Sequence, residues 1–348
     1  MRGRLQVDLA ALVANYQLYC VQSTQTASSV GSVVKADGYG LGVAAVSQSL
    51  FAAGCREFFV ATCEEGLALR DLLSDVRIYV FEGSTHDNAE PMAGAGLIPV
   101  VNHLGQLNAW HPHRRLPIAV HVDTGMERLG FPDDVTAAAL AGFEIELLIT
   151  HLACADTPDH PLNAEQIRRF DAVAARFPGI RTSIGNSAGL LLGAPFRGDL
   201  VRAGIGLYGG NPFTDRTNPM QCVASLSAQI LQVREVAAGS ALGYGATYIA
   251  SRNLKVAVVG IGYADGLPRL LSNRGEVSIN QRRCAIVGRI SMDLTLVDVS
   301  GMPVAAGDWV EFFGDHIAVD EVGGWADSFA YEVLTRIGPR VERVYVGG

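Results

Sequence analysis

Eight apolar segments recur along the chain near 30–35, 57–61, 76–81, 97–101, 116–122, 145–150, 180–184 and 199–203, with helical spacing between them in stretches such as Glu64–Leu73, Val135–Leu140 and Ala164–Phe177. That alternation constrains the fold more than any other feature, because strand and helix in strict turn mean parallel strands joined by helical crossovers. Eight such units are what a (β/α)8 TIM-like barrel requires, and such barrels keep their chemistry at the carboxyl ends of the strands. Upstream, Asp8 is placed to cap an amphipathic helix running through Leu12, Val13, Tyr16, Leu18 and Tyr19.

Beyond Pro219 the rhythm changes. Segments 223–236, 255–261, 276–279, 284–289, 294–299, 309–313 and 341–346 are short, valine-rich and separated by Gly, Asn and Asp turns, which predicts a mainly β C-terminal domain. The turn-rich run from Asn211-Pro212 to Asn218-Pro219 is the natural linker, so the expected division is a barrel over 1–215 and a β domain over 216–348.

A net charge of -8 argues against a nucleic-acid partner, and no stretch is long and apolar enough to span a bilayer. Six cysteines without a Cys-x-x-Cys pair suit reduced thiols, and the first residues carry no apolar leader core, so the expected location is the cytoplasm. His103, His111 and His113 read as helix-surface and loop residues, and no cysteine or carboxylate cluster makes them metal ligands.

The polar and glycine-rich residues gather where barrel chemistry should sit: Lys35, Asp123 to Arg128, His151, Asn186-Ser187 and Arg202-Ala203-Gly204 all follow predicted strands. A lysine flanked by apolar strand is partly desolvated, which lowers its pKa and raises the fraction of nucleophilic amine. Alone, Lys35 would be read as a buried stem whose charge reaches water. Leu200 to Gly209 contains a Gly-x-Gly-x-x-Gly string, but the dinucleotide fingerprint needs a helix opening at the glycines, and Asn211-Pro212 follows instead. A strand-end loop whose small residues let backbone N–H groups approach a phosphate fits better.

Val33-Val34-Lys35-Ala36-Asp37-Gly38-Tyr39-Gly40 resembles the cofactor segment of the alanine racemases. The resemblance implies that Lys35 holds pyridoxal 5'-phosphate as a Schiff base and that Tyr39 binds its phosphate. Further segments agree in the family's order, from Val33 to about Arg343. By that resemblance Arg202 faces the pyridine nitrogen, Gly204, Ile205 and Ser187 bind phosphate beside Asn186, and His151 packs near the ring. Asp123-Thr124-Gly125-Met126-Glu127-Arg128 resembles the segment whose arginine receives the substrate carboxylate, a task a planar guanidinium fork suits. One departure stands out: seven residues before Arg128 the family usually has a lysine, often carbamylated, and here there is His121. Leu242 to Tyr248 resembles the segment whose first tyrosine, here Tyr244, is the second acid/base and reaches in from another subunit. Gly262-Tyr263-Ala264-Asp265 and Ser291-Met292-Asp293 resemble segments near the substrate entrance and carboxylate, which adds Tyr263 and Met292. A tyrosine that some relatives place near the C-terminus to touch phosphate corresponds to Pro339, and Leu41 replaces a frequent histidine.

The resemblance therefore implies a pyridoxal-phosphate racemase of L- and D-alanine, a homodimer using Lys35 and Tyr244 on opposite faces of the substrate, with D-alanine serving as a peptidoglycan precursor or being catabolised. The alternatives are a racemase of broader range, including serine, and a non-catalytic pyridoxal-phosphate carrier; a dinucleotide oxidoreductase is a remote third.

Overall fold

The protein is described by a computed structural model over residues 3–24 and 28–348. Its first strand, β1 (Arg4–Asp8), does not join the barrel that follows it. The next eight do: β2 (Ser29–Val33), β3 (Glu57–Val60), β4 (Arg77–Val80), β5 (Ile98–Val101), β6 (Pro117–His121), β7 (Glu144–Ile149), β8 (Arg181–Ser183) and β9 (Leu200–Ala203). They pair in parallel in the order β8-β7-β6-β5-β4-β3-β2-β9, each within a few residues of its expected position. The seam between β8 and β9 is not a regular ladder. It is stitched by Asp199 N–H donating to Thr182 O at 2.8 Å, by Thr182 N–H donating to the Asp199 carboxylate at 2.7 Å, and by the Ser183 hydroxyl donating to Leu200 O.

The strands read as continuous apolar runs because both faces are covered: Phe58, Phe59, Val60, Ile78, Tyr79 and Val80 are fully buried, and the Phe59 and Tyr79 rings stack at 4.6 Å. At the amino ends of the strands the polar groups pair among themselves. Arg181 holds the buried Glu57 at 2.8 Å, and Tyr79 donates to Glu146. That leaves the carboxyl ends for chemistry. The helix Leu9–Thr24 begins as expected, with Ala11 N–H donating to the Asp8 carboxylate at 2.9 Å.

The β domain is built on one long strand, β10 (Ala224–Val236). The short pair β11 (Ala241–Leu242) and β12 (Tyr248–Ile249) stands apart, and β13 (Leu254–Val259), β14 (Glu276–Ile279), β15 (Arg282–Ala285), β16 (Thr295–Asp298), β17 (Trp309–Phe313) and β18 (Glu342–Val346) complete the sheet. β1 lies between β10 and β18, antiparallel to one and parallel to the other. The β domain therefore takes its edge pairing from both ends of the chain, and residues 4–8 belong to it rather than to the barrel.

Three local expectations are corrected. The helix expected over Val135–Leu140 is a single 3-10 turn at Ala137–Leu140, confined between the Thr136 cap and Gly142. The strand expected over 284–289 is shifted: β15 runs over Arg282–Ala285, Ile286 adds a single antiparallel bridge to Val297, and Gly288, at φ 77, lies in the bend beyond. Two helices, Val319–Trp325 and Ala330–Thr335, interrupt what the sequence reads as turns and strands.

The domains meet beside the site. From β18, Arg343 donates to Gly40 O at 3.0 Å and the Tyr345 hydroxyl donates to Leu41 O at 3.0 Å. The C-terminal strand thus grips the loop that follows Lys35.

Candidate active site

Lys35 emerges from β2 at its carboxyl end, over the Phe81 ring at 5.7 Å. Burial, and then the charge of Arg128, push its amine below the usual lysine range, while Glu65 pushes it back. After it the backbone does something L-residues avoid: Ala36, Asp37, Gly38 and Tyr39 take φ of 53, 54, 61 and 57°, a complete left-handed turn of which only one residue is glycine. The turn swings Tyr39 back over the barrel mouth, where its ring stacks on Tyr208 at 4.4 Å. Tyr208 is itself fixed by donating to Val33 O at 2.8 Å.

Opposite Lys35, Asn186 caps the helix Ser187–Leu192 by accepting from Gly189 N–H at 3.0 Å. The Ser187 hydroxyl accepts from Gly204 N–H at 2.8 Å and from Gly206 N–H at 3.3 Å. A β-carbon on Gly204 would stand 2.7 Å from the Tyr39 hydroxyl and 3.8 Å from that of Ser187. Two hydroxyls and a bare backbone thus converge on a patch that a side chain would fill, a cradle suited to a phosphate.

Arg202, on β9, is buried, and its fork donates to the Ser183 hydroxyl, to Thr150 O at 2.7 Å, to Ile184 O at 3.2 Å and toward His151 Nδ1 at 3.4 Å. Burial lowers it to about 9, so it stays charged at neutral pH. His151 and His121 are both kept neutral by burial and then by the repulsion of Arg202, His121 being lowered to about 4. The Asn102 amide donates to Val100 O at 2.8 Å, so its oxygen is left to accept from His121 Nδ1 at 2.8 Å, which fixes the tautomer with the proton on Nδ1.

Arg128 lies at the rim on a loop organised by Asp123, whose carboxylate accepts from the amides of Gly125, Met126 and Arg128 at 2.9, 2.8 and 3.3 Å. Burial opposes ionisation of that carboxyl, but these amides hold it below the usual range. Sequence reading passed over Asp123 as a loop organiser, although an aspartate two residues before a glycine at a strand end is the signal for one.

Lys35, Tyr39, His121, Arg128, His151, Asn186, Ser187, Arg202, Gly204 and Ile205 line one cavity of about 420 Å³. Tyr331, from the helix Ala330–Thr335, lines it too, its ring 6.0 Å from that of Tyr39. The resemblance places a tyrosine near the C-terminus beside the phosphate and puts its position at Pro339, but Pro339 does not line the cavity and Tyr331 does. Among the described residues no Asp or Glu lines the cavity, whereas Lys35, Arg128 and Arg202 do, so the mouth favours an anionic ligand.

Tyr244, Tyr263 and Met292 lie elsewhere. They line a second depression with Arg269, Ile290, Ser291 and Arg336, and are 71, 41 and 53% exposed. Among the described residues, no group of three or more His, Cys, Asp or Glu could hold a metal ion, and no helix is long and apolar enough to cross a membrane.

Comparison with known proteins identifies the family. Residues 7–212 match the family model for the N-terminal domain of alanine racemase, and residues 223–345 match the C-terminal one. The chain is 45% identical to an alanine racemase of Rhodospirillum rubrum, covering 99% of this chain and 96% of that protein. It is 43% identical to one of Acidiphilium cryptum, covering 98% of each. A crystal structure of alanine racemase from Bartonella henselae with covalently bound pyridoxal phosphate superposes with a TM-score of 0.94 at 35% identity, covering 99% of this chain and 100% of that one.

Proposed function

Because the chain belongs to the alanine racemase family, we propose that it interconverts L- and D-alanine with pyridoxal 5'-phosphate at Lys35, using Lys35 and Tyr244 as two opposed acid/base groups. The observation that carries this reading is the convergence of an amine depressed by burial, a phosphate cradle at Gly204, and a charged buried arginine in one cavity.

The residues present fit the cofactor. Tyr39, Ser187 and the Gly204-Ile205 backbone would hold its phosphate, Asn186 sets the helix that presents Ser187, and Arg202 would face the ring nitrogen, with His151 beside it. Bound there, pyridoxal phosphate supplies an electron sink that acidifies the substrate Cα–H. Arg202, still protonated at neutral pH, has no proton to give readily to a ring nitrogen, and this restrains the sink and favours reprotonation at Cα over transamination. Arg128 takes the substrate carboxylate with its planar fork.

Inversion needs proton transfer on two faces. The Lys35 amine holds or releases the proton on one, and burial, then the charge of Arg128, lower its pKa towards the range that suits that task. The Tyr244 hydroxyl serves the other, and Tyr263 and Met292 border the same substrate. All three lie outside the Lys35 cavity of their own chain, which supports their supply by a second copy in a homodimer whose barrel over 1–215 receives the β domain over 216–348 of its partner. The working location is the cytoplasm, where D-alanine serves as a peptidoglycan precursor.

Chiral chromatography of L-alanine and L-serine after incubation with cofactor-saturated protein tests the reading. Rapid approach to an equal mixture from alanine, with serine slow, is expected. Faster serine turnover would overturn the substrate, and no turnover of either by protein that retains cofactor at Lys35 would overturn the activity.

A further inference from the structure

A left-handed turn of four residues, three of them with side chains, is costly at about 1–2 kcal/mol per residue, and it survives only where its surroundings hold it. Part of the hold comes from outside the turn. Glu65, in the first turn of the helix Cys63–Leu72, is placed to bond back to its own N-cap, as in a capping box. Its carboxylate turns away instead. One oxygen accepts from Ala61 N–H, just beyond β3, and the other from Ala36 N–H, the first amide of the left-handed turn, both at 2.7 Å. The side chain thus ties together the carboxyl ends of two neighbouring barrel strands. From the other side Arg343 and Tyr345 hold the carbonyls of Gly40 and Leu41.

We propose that Glu65 is a positioning residue for the Lys35 amine: by bonding the first amide of the left-handed turn and the end of the neighbouring strand it fixes the turn that aims Lys35 into the cavity and sets its carboxylate beside that turn. The groups that act on Lys35 are few. Arg128 from the loop after β6 and His151 from the loop after β7 interact with it and oppose its charge, whereas the Phe81 ring beneath it and Glu65, the carboxylate among them, favour its protonated form. This rests on the reading of Lys35 as the cofactor-bearing amine. The carboxylate acts on the amine in the direction opposite to burial and Arg128.

The composition makes the proposal testable, because the chain has only two lysines, Lys35 and Lys255. Reductive methylation of the full-length chain, freed of cofactor, with 13C-formaldehyde will label those two amines and the N-terminus, and Lys255→Arg assigns the signals. In Glu65→Gln the Lys35 signal should titrate at lower pH than in the unsubstituted protein, with Lys255 unmoved. Glu65→Asp keeps the charge but cannot span both amides, so its Lys35 midpoint should stay near the original. Its capture of pyridoxal phosphate, trapped at Lys35 with borohydride, should slow on the order of tenfold. An unchanged Lys35 midpoint in Glu65→Gln overturns the proposal. Should that variant not fold, Glu65→Asp decides: an original capture rate overturns it. If the unsubstituted protein traps no cofactor at Lys35, the reading of Lys35 falls while the titration still reports on Glu65.

Discussion

The Tyr39 hydroxyl stands 2.7 Å from the point a β-carbon on Gly204 would occupy, so the two residues share one space between the loops after β2 and β9. Gly204 has φ -126° and ψ -105°, a pair outside the regions L-residues favour, so the backbone and the Tyr39 hydroxyl both work against a side chain there. Gly204→Ala should push Tyr39 out of the cradle and weaken pyridoxal-phosphate retention about tenfold or more, roughly 1.4 kcal/mol. Tyr39→Phe in the same chain removes the clash, so the double variant should lose less than the sum of the singles. Equilibrium dialysis against the cofactor measures both, and strict additivity would show that the two residues do not share the site.

Lys35 and Tyr244 open onto different depressions of one chain. Lys35→Ala and Tyr244→Phe should each be inactive alone. Unfolded together and refolded as a mixture, they should recover about a quarter of full activity, since half the dimers are mixed and each mixed dimer has one complete site. If Tyr244 acted within its own chain, the mixture would recover nothing.

Arg202 supplies donors to Ser183, Thr150 O and Ile184 O in a region closed to water. Arg202→Leu would strand those acceptors, at a cost on the order of 2–5 kcal/mol. The urea midpoint of the cofactor-free protein should fall accordingly; an unmoved midpoint would show that the interior rearranges to satisfy them.

His121 is held neutral by burial and by Arg202, at about 4 against 6.5 for a free histidine. Between those values the unfolded chain binds more protons than the folded one, so stability rises with pH through the window and is lost as pH falls through it, by at most about 1.4 kcal/mol per unit for one histidine. His121→Gln keeps an N–H for the Asn102 oxygen and removes the titration. Its urea midpoint should therefore fall less steeply from pH 6.5 towards 4, with His151 and depressed carboxylates such as Asp123 supplying the slope that remains. Superimposable profiles would reject this.

The barrel was legible because its strands are buried on both faces and so read as short apolar runs, as at Phe58-Phe59-Val60 and Ile98-Pro99-Val100-Val101. Lys35, Tyr39, Ser187 and Arg202 were legible because strand-end residues in a barrel have a known address and their segments resemble one family. Tyr331 was not, since its six-residue helix carries too short a pattern to be told from a turn. Glu65 was hidden for another reason. An acid in the first turn of a helix is expected to cap that helix, and nothing local says that it bonds to Ala36, 29 positions away.

The sequence by itself determined the order of strands and helices along the barrel and which side chains sit at the strand ends, because periodicity and turn chemistry are local properties. Only the tertiary structure decided that β1 belongs to the second sheet, that Arg343 and Tyr345 grip the loop after Lys35, and that Lys35 and Tyr244 of one chain face different spaces. Those outcomes depend on which distant segments pack together. That choice is made by the burial of the whole chain rather than by the preference of any one stretch of it.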